Sequence, residues 1–312
     1  MSIPFPEFVA IGEPMLEFNQ APHGADGRGY FLEGFGGDTS NATIAAARQG
    51  VRTAYLTAIG DDWPGARFMD LWQTEGVDVS FVKRDPIRQT GVYFVTHGNH
   101  GHEFLHYRRN SAASAFGPDD LPADMISNTK MLYVSGISQG ISESGRDTVT
   151  RAIDIARAHQ VPIAYDTNYR PRLWSPTEAA SVMHAAIAQA DIALPSLDDA
   201  TILTGLTDPD AIADFYLRLG PRIVVVKNGA AGALLATRDA RLHIPPFACN
   251  AVDATGAGDT FCGSFLARLI LADAPEQAAR YAACAAALKC EGYGAVAPIP
   301  TSAQVLHALE TR

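Results

Sequence analysis

Asp253-Ala254-Thr255-Gly256-Ala257-Gly258-Asp259, continued by Thr260-Phe261-Cys262-Gly263-Ser264-Phe265, is the stretch on which the reading of this 312-residue chain turns. Two glycines leave backbone N–H groups unobstructed, and a helical pattern begins directly after them. A helix N-terminus has unpaired N–H groups and the positive end of the helix dipole, so the loop reads as an anion site. A carboxylate held in that field, Asp259, can accept a hydroxyl proton as the oxygen attacks phosphorus. The N–H groups of Gly256, Ala257 and Gly258 would stabilise charge on the group in transfer. No Gly-Lys-Ser/Thr follows, so this is not a Walker loop. Its glycine spacing, and its distance from the first strand, exclude a dinucleotide fingerprint.

Working outward, helices are expected from Gly258 to Leu271 and from Glu276 to Lys289, the second rich in Ala. The Val/Ile run from Arg222 to Lys227 predicts a strand buried on both faces. Before it, strands at Met131–Ser135, Pro162–Tyr165 and Ile192–Leu194 alternate with helices at Ser144–His159 and Pro176–Gln189. Nearer the N-terminus come a strand at Phe8–Gly12, a helix from Thr39 to Arg48, a strand at Ala54–Ile59 and a helix at Asp62–Glu75. Such alternation predicts an α/β fold with a mostly parallel sheet covered on both sides, in a single domain spanning 1–312.

Two stretches, 13–35 and 88–110, break the alternation. The second has β-prone arms, Gly91-Val92-Tyr93-Phe94-Val95-Thr96 and Glu103-Phe104-Leu105-His106-Tyr107-Arg108, around a Gly/Asn turn. That is a hairpin pattern, and together the two stretches read as one small inserted β-sheet. His97, His100 and His102 fall on the turn, where no Cys or acidic cluster completes a metal site, so they are read as solvated.

The net charge of −10 and the absence of a basic stripe with interleaved aromatics argue against nucleic acid and anionic lipid as partners. An anionic substrate would need a few local Arg, Lys and N–H groups. Cys249, Cys262, Cys284 and Cys290 form no C-x-x-C pair and read as small buried hydrophobes of a reducing, cytoplasmic setting. No apolar run is long enough to span a bilayer. Asn41-Ala42-Thr43 matches a glycosylation acceptor and is read as a chance match.

The D-x-T-G-A-G-D loop, with Gly36-Gly37-Asp38-Thr39-Ser40-Asn41-Ala42 near the N-terminus, resembles the two signatures of the ribokinase-like (PfkB) carbohydrate kinase family. The resemblance spans essentially the whole chain and implies a three-layer α/β/α sandwich with a small β-sheet lid. Within the family the chain looks most like the 2-keto-3-deoxygluconate kinases. The Gly36 to Asn41 stretch, Tyr107-Arg108-Arg109-Asn110-Ser111-Ala112-Ala113-Ser114, and Tyr165-Asp166-Thr167-Asn168-Tyr169-Arg170-Pro171-Arg172-Leu173-Trp174 carry that likeness.

Carried over, the resemblance implies ATP and Mg²⁺ as cofactors and phosphorylation of the 6-hydroxyl of 2-keto-3-deoxygluconate. It implies Asp259 as base and Arg109 and Arg170 holding the acid end, with Tyr93 and Tyr107 lining the sugar. Gly36, Gly37, Asn41 and Asn168 complete the sugar site. An Arg fork suits a planar carboxylate and has nothing to neutralise in a neutral sugar. Arg108 is expected on the opposite face, because neighbouring strand side chains alternate.

On the nucleotide side, Ser196, Lys227, Gly229, Gly232, Thr255 and the loop Gly256 to Gly258 are expected near phosphate, and Ala283 and Ala286 near adenine. The family's Asn-x-x-Glu is replaced here by Ser196 and Asp199, so Asp199 is expected to reach a metal only through water. Some members of the family bind a monovalent cation near the Asp253 region. A homodimer or higher homo-oligomer through the lid is expected. The alternatives are a neutral-sugar kinase of the fructokinase or ribokinase type, and a non-catalytic sugar or nucleotide sensor on the same scaffold.

Overall fold

The computed structural model describes residues 4–21, 28–98 and 101–311, with backbone alone at 97, 98, 101 and 102. His100 and the side chains of His97 and His102 thus lie outside the described residues, as do residues 22–27 of the first inserted stretch. In chain order the strands are β1 Phe8–Ile11, β2 Met15–Ala21, β3 Tyr30–Gly36, β4 Thr53–Leu56, β5 Ala58–Gly60, β6 Lys83–Asp85, β7 Gly91–Gly98, β8 Gly101–Tyr107, β9 Met131–Ser135, β10 Ile163–Asp166, β11 Ile192–Ala193, β12 Ile223–Lys227, β13 Ala233–Ala236 and β14 Arg241–Ile244. The helices are α1 Asp38–Arg48, α2 Trp63–Thr74, α3 Ala123–Asn128, α4 Gly136–Gly140, α5 Glu143–Ala158, α6 Pro176–Ile187, α7 Leu197–Thr204, α8 Pro209–Leu219, α9 Ala257–Ile270, α10 Pro275–Cys290 and α11 Ser302–Thr311.

Eight strands form the main sheet in the order β14-β13-β12-β11-β10-β9-β1-β4. From β4 to β12 every pairing is parallel, and β13 and β14 add an antiparallel edge. Buried strands need apolar side chains on both faces, and the sequence supplies them. Val9, Ile11, Leu132 and Val134 pack with Val149 of α5, Met183 of α6 and Tyr216 of α8 on one face. Phe8, Ala10, Met131 and Tyr133 pack with Ile44 of α1, Trp72 of α2, Phe265 of α9 and Ala282 of α10 on the other. The result is three layers, as expected.

The helix starts follow local chemistry. Asp62 caps α2 by accepting from the Gly65 N–H at 2.8 Å, with Pro64 in the first turn. Ser142, Ser175 and Asp208 cap α5, α6 and α8 in the same way. The strand expected at Ala54–Ile59 is two strands in different sheets, β4 and β5. The break is at Thr57, whose buried hydroxyl donates to the Gly12 carbonyl at 2.7 Å. A tight hairpin follows β12: the Asn228 N–H donates to the Gly232 carbonyl at 2.8 Å, and Gly229 and Gly232 adopt positive φ.

β3-β2-β7-β8 form a separate four-stranded sheet. Its register sets Tyr93 opposite Glu17 on β2 and His106 on β8, and Val92 opposite Leu16 and Tyr107. One face therefore carries Glu17, Tyr93, Phe104 and His106, and the other Phe18, Phe94, Leu105 and Tyr107.

Candidate active site

Ligands of open α/β sheets gather beyond the carboxyl ends of the strands. Here those ends deliver Glu13 after β1, Asp166 and Asn168 at β10, Ser196 after β11 and Lys227 at β12. Two helix N-termini, α1 and α9, open into the same region. The turn into α1 depends on glycine twice. A Cβ on Gly36 would lie 2.7 Å from the Tyr93 hydroxyl, and Gly37 has φ 108° with the Glu13 carbonyl 2.4 Å from where a Cβ would sit.

At α9, Gly256 is the N-cap in left-handed conformation (φ 77°), with no side chain capping the helix. The Ala257 N–H donates to the Ala254 carbonyl at 3.1 Å, and Thr260 begins the helical ladder onto Gly256 at 2.9 Å. The N–H groups of Gly256, Gly258 and Asp259 have no partner among the described residues. Of the three expected donors, Ala257 is thus engaged in the turn, and the Asp259 N–H is open beside those of Gly256 and Gly258.

The Asp259 carboxylate is oriented by Asn41, whose Nδ2 donates to Oδ2 at 2.8 Å. Burial pushes Asp259 up to about 7, and the nearby Asp38 adds to this. Asp38 is itself buried, accepts from Asn168 Nδ2 at 3.0 Å and is raised by burial. Asn168 has a positive φ of 33°, a conformation costly outside glycine and kept where surroundings enforce it. Asn41 and Asn168, expected to face sugar, thus hold the two carboxylates in place.

Lys227 Nζ lies on Asp166 Oδ1 at 2.9 Å and Cys262 Sγ at 3.2 Å, 3.9 Å from where a Cβ on Gly258 would sit. It sits beneath the anion loop as a counter-ion. Burial alone would lower its pKa, but Asp166 and Cys262 raise it above the usual lysine range, so it stays charged. Asp199 turns to the loop after β10, where its Oδ2 accepts from the Tyr169 N–H at 3.1 Å. Ser196 caps α7 by accepting from the Asp199 N–H at 3.2 Å. Among the described residues no cluster of His, Cys, Asp or Glu could hold a metal ion. The donor set therefore fits a Mg²⁺ carried by phosphates and water, with no protein cage.

Gly229 is exposed on the hairpin after β12. Gly232 must be glycine, since a Cβ there would meet the Ile244 carbonyl at 2.1 Å. Ala283 and Ala286 are three apart on α10 and partly exposed, which leaves a low face on that helix, and Thr255 is exposed on the loop.

The small sheet changes the expected sugar-lining set. Tyr93 is buried and its hydroxyl bonds Glu17; Asp259 and Asp253 are near enough to act on its titration. Tyr107 is on the opposite face, 59% exposed and edge-on to Phe94, because its register pairs it with Val92. His106 holds the cleft-side position instead, stacked on Tyr93 at 5.6 Å. Burial, then Arg108, Arg172 and Arg170, lower its pKa to about 4, so its imidazole is neutral at physiological pH.

Those three guanidinium groups are near enough to act on His106, and Arg109 is not among them. Arg109 is exposed in the turn after β8, whose next residue, Asn110, has φ 58°. Arg108 is paired with buried Glu13, which also accepts from Ser111 at 2.8 Å. The expectation that Arg108 faces away and Arg109 faces the site is reversed. Tyr107 lies on the face away from His106, so the alternation runs in the opposite phase and Arg108 follows on the His106 side. Arg172, with no role expected, donates to the Phe104 carbonyl at the open edge of β8. Arg170 is exposed and donates to the Tyr169 carbonyl at 2.9 Å.

A family model described as pfkB family carbohydrate kinase matches residues 7–302. The chain is 32% identical over 308 residues to a 2-dehydro-3-deoxygluconokinase of Thermoproteus tenax, covering 96% of this chain and 93% of the relative. It is 30% identical over 317 residues to a probable fructokinase-4 of Arabidopsis thaliana, covering 97% and 96%. Among solved structures, a fructokinase double mutant from Vibrio cholerae O395, in its fructose-, ADP- and potassium-bound form, superposes with a TM-score of 0.84 at 26% identity, covering 99% of this chain and all of that one. Among the described residues no helix is long and apolar enough to cross a membrane.

Proposed function

Because the chain belongs to the pfkB family of carbohydrate kinases, we propose that it transfers the ATP γ-phosphoryl group to the 6-hydroxyl of 2-keto-3-deoxygluconate (2-dehydro-3-deoxygluconate). The observation that carries the transfer step is Asp259 at the open N-terminus of α9, with its carboxylate oriented by Asn41 and its pKa near 7. A base poised near the working pH balances ionisation against proton affinity. It takes the hydroxyl proton as the oxygen attacks phosphorus. The N–H groups of Gly256, Gly258 and Asp259 meet the charge spreading over the phosphoryl oxygens. Mg²⁺ travels on the ATP phosphates and neutralises them.

The acid end of the substrate is assigned to Arg108 and Arg170. Three arginines near His106, in a chain of net charge −10, support an anionic group there. The Thermoproteus relative supports the same substrate. A neutral sugar is the second reading, and the fructokinase relative at 30% identity favours it. The small sheet acts as a lid that excludes water, so that ATP is not hydrolysed. Its outer face exposes Leu105 and Tyr107, and with Phe31 of β3, edge-on to Phe94, forms an apolar surface suited to a homodimer through the lid.

The test is ADP release by the purified chain with ATP and Mg²⁺, comparing 2-keto-3-deoxygluconate with fructose and ribose. A kcat/KM for the acid well above both sugars is expected; preference for a neutral sugar sinks the acid assignment.

A further inference from the structure

The loop that carries Asp259 has a second side. In each peptide unit the carbonyl points away from the N–H, so a loop that aims donors at phosphate turns acceptors behind it. Asp253, where the loop begins, is fastened there at every polar group. Its N–H and that of Val252 donate to the Cys290 carbonyl at 3.1 and 2.8 Å. Its carboxylate accepts from the N–H groups of Thr255 and Gly294, each at 2.8 Å. Its carbonyl accepts from Lys289 Nζ at 2.7 Å.

Lys289 is 0% exposed, and none of the transfer chemistry above uses it. Burying an ammonium is costly unless its surroundings compensate. Here they do so with the Asp253 carbonyl dipole and the Asp253 carboxylate. Burial pulls the lysine's pKa down; Asp253, Cys290, Asp259 and Glu17 push it back.

We propose that the Lys289 ammonium is a built-in cation of the phosphoryl-binding loop, standing on its carbonyl side where a monovalent ion would otherwise sit. The inference rests on the kinase reading of that loop. A second cation on the same carbonyl would be repelled at close range, so the residues present do not fit the monovalent ion found in some members of the family. Lys289 is thus a positioning residue. It holds Asp253, and through Asp253 the donors at Gly256, Gly258 and Asp259.

The experiment measures ADP release by the full chain, with its best sugar substrate, in potassium, ammonium, sodium or tetramethylammonium chloride. Wild type is expected to turn over equally in all four. Lys289→Met, which keeps the length and removes the charge, is expected to lose about 10- to 100-fold in kcat in tetramethylammonium. Potassium or ammonium should restore much of that loss. A wild-type chain that needs potassium overturns the proposal, and that measurement stands even if Lys289→Met fails to fold. Unchanged turnover of a folded Lys289→Met, or a loss that no monovalent cation reverses, overturns it too. A wild-type chain that releases no ADP with any sugar in any salt overturns the kinase reading itself, and the Lys289 assignment falls with it.

Discussion

The end of the eight-stranded sheet and the inner face of the four-stranded sheet meet where Asp259 acts on Tyr93, and they bring different groups there. The large sheet and its helices bring Asp38, Asp166 and Asp259, and back them from below with Lys227. The small sheet brings Tyr93, His106 and Arg108, near Arg170 and Arg172 of the loop after β10. On the first side backbone and helix ends do the work, so side chains need only keep a fixed geometry. On the second, recognition depends on which face of a strand each residue occupies, and a one-residue slip exchanges the two faces. The family's chemistry would then reside in the first region and its choice of substrate in the second.

The largest expected effect tests the first region. Asp259→Asn should lower kcat about 10²- to 10⁴-fold while leaving the sugar KM nearly unchanged. Wild-type kcat/KM should fall as pH drops through about 7, because protonation removes the base. The residual activity of the variant should lack that limb. A variant near normal turnover breaks the assignment.

Next comes Lys227→Met, which strands Asp166, a side chain only 2% exposed, without its cation. Removing one partner of a buried ion pair costs about 3–5 kcal/mol, which denaturant melts will read. A melt unchanged from wild type would mean that Lys227 is not the counter-ion that the large sheet requires.

The small-sheet side is probed by Arg108→Ala against Arg109→Ala. Loss of a charge-assisted hydrogen bond should raise KM for the acid about 10- to 100-fold in the first, with little change for a neutral sugar. The second should do almost nothing. Equal effects would break the division between the two regions. Smallest of all, Tyr107→Ser should move stability by only about 0.5 kcal/mol and leave the sugar KM as it was, since Tyr107 lies on the outer face. His106→Ala should raise that KM.

Much of the large sheet was legible because its signals are local. Val224, Val225 and Val226 read as a doubly buried strand and are one. Asp62 with Pro64 read as a helix start and is one. The antiparallel edge strand β14 and the helices α7, α8 and α11 were not anticipated; β14 has four residues and α7 eight, too few to show a clear period. At the site, Gly36 and Gly37 were found by motif and are explained by close contacts. Lys227, expected near phosphate, lies under the loop and is paired with Asp166, a contact across 61 residues that no local pattern encodes.

By itself, the stretch from Asp253 to Asp259 determined a helix start with open N–H groups and a carboxylate in its field. Glycine conformation, the helix dipole and the order of residues are properties of a few neighbouring peptides. Only the tertiary structure decided that Arg108 and His106 face the cleft while Arg109 and Tyr107 do not. That choice depends on how β8 registers against β7. Only the tertiary structure, likewise, set Lys289 on the Asp253 carbonyl 36 residues away in sequence. A buried charge is tolerated only where distant groups converge on it, and that convergence belongs to the fold.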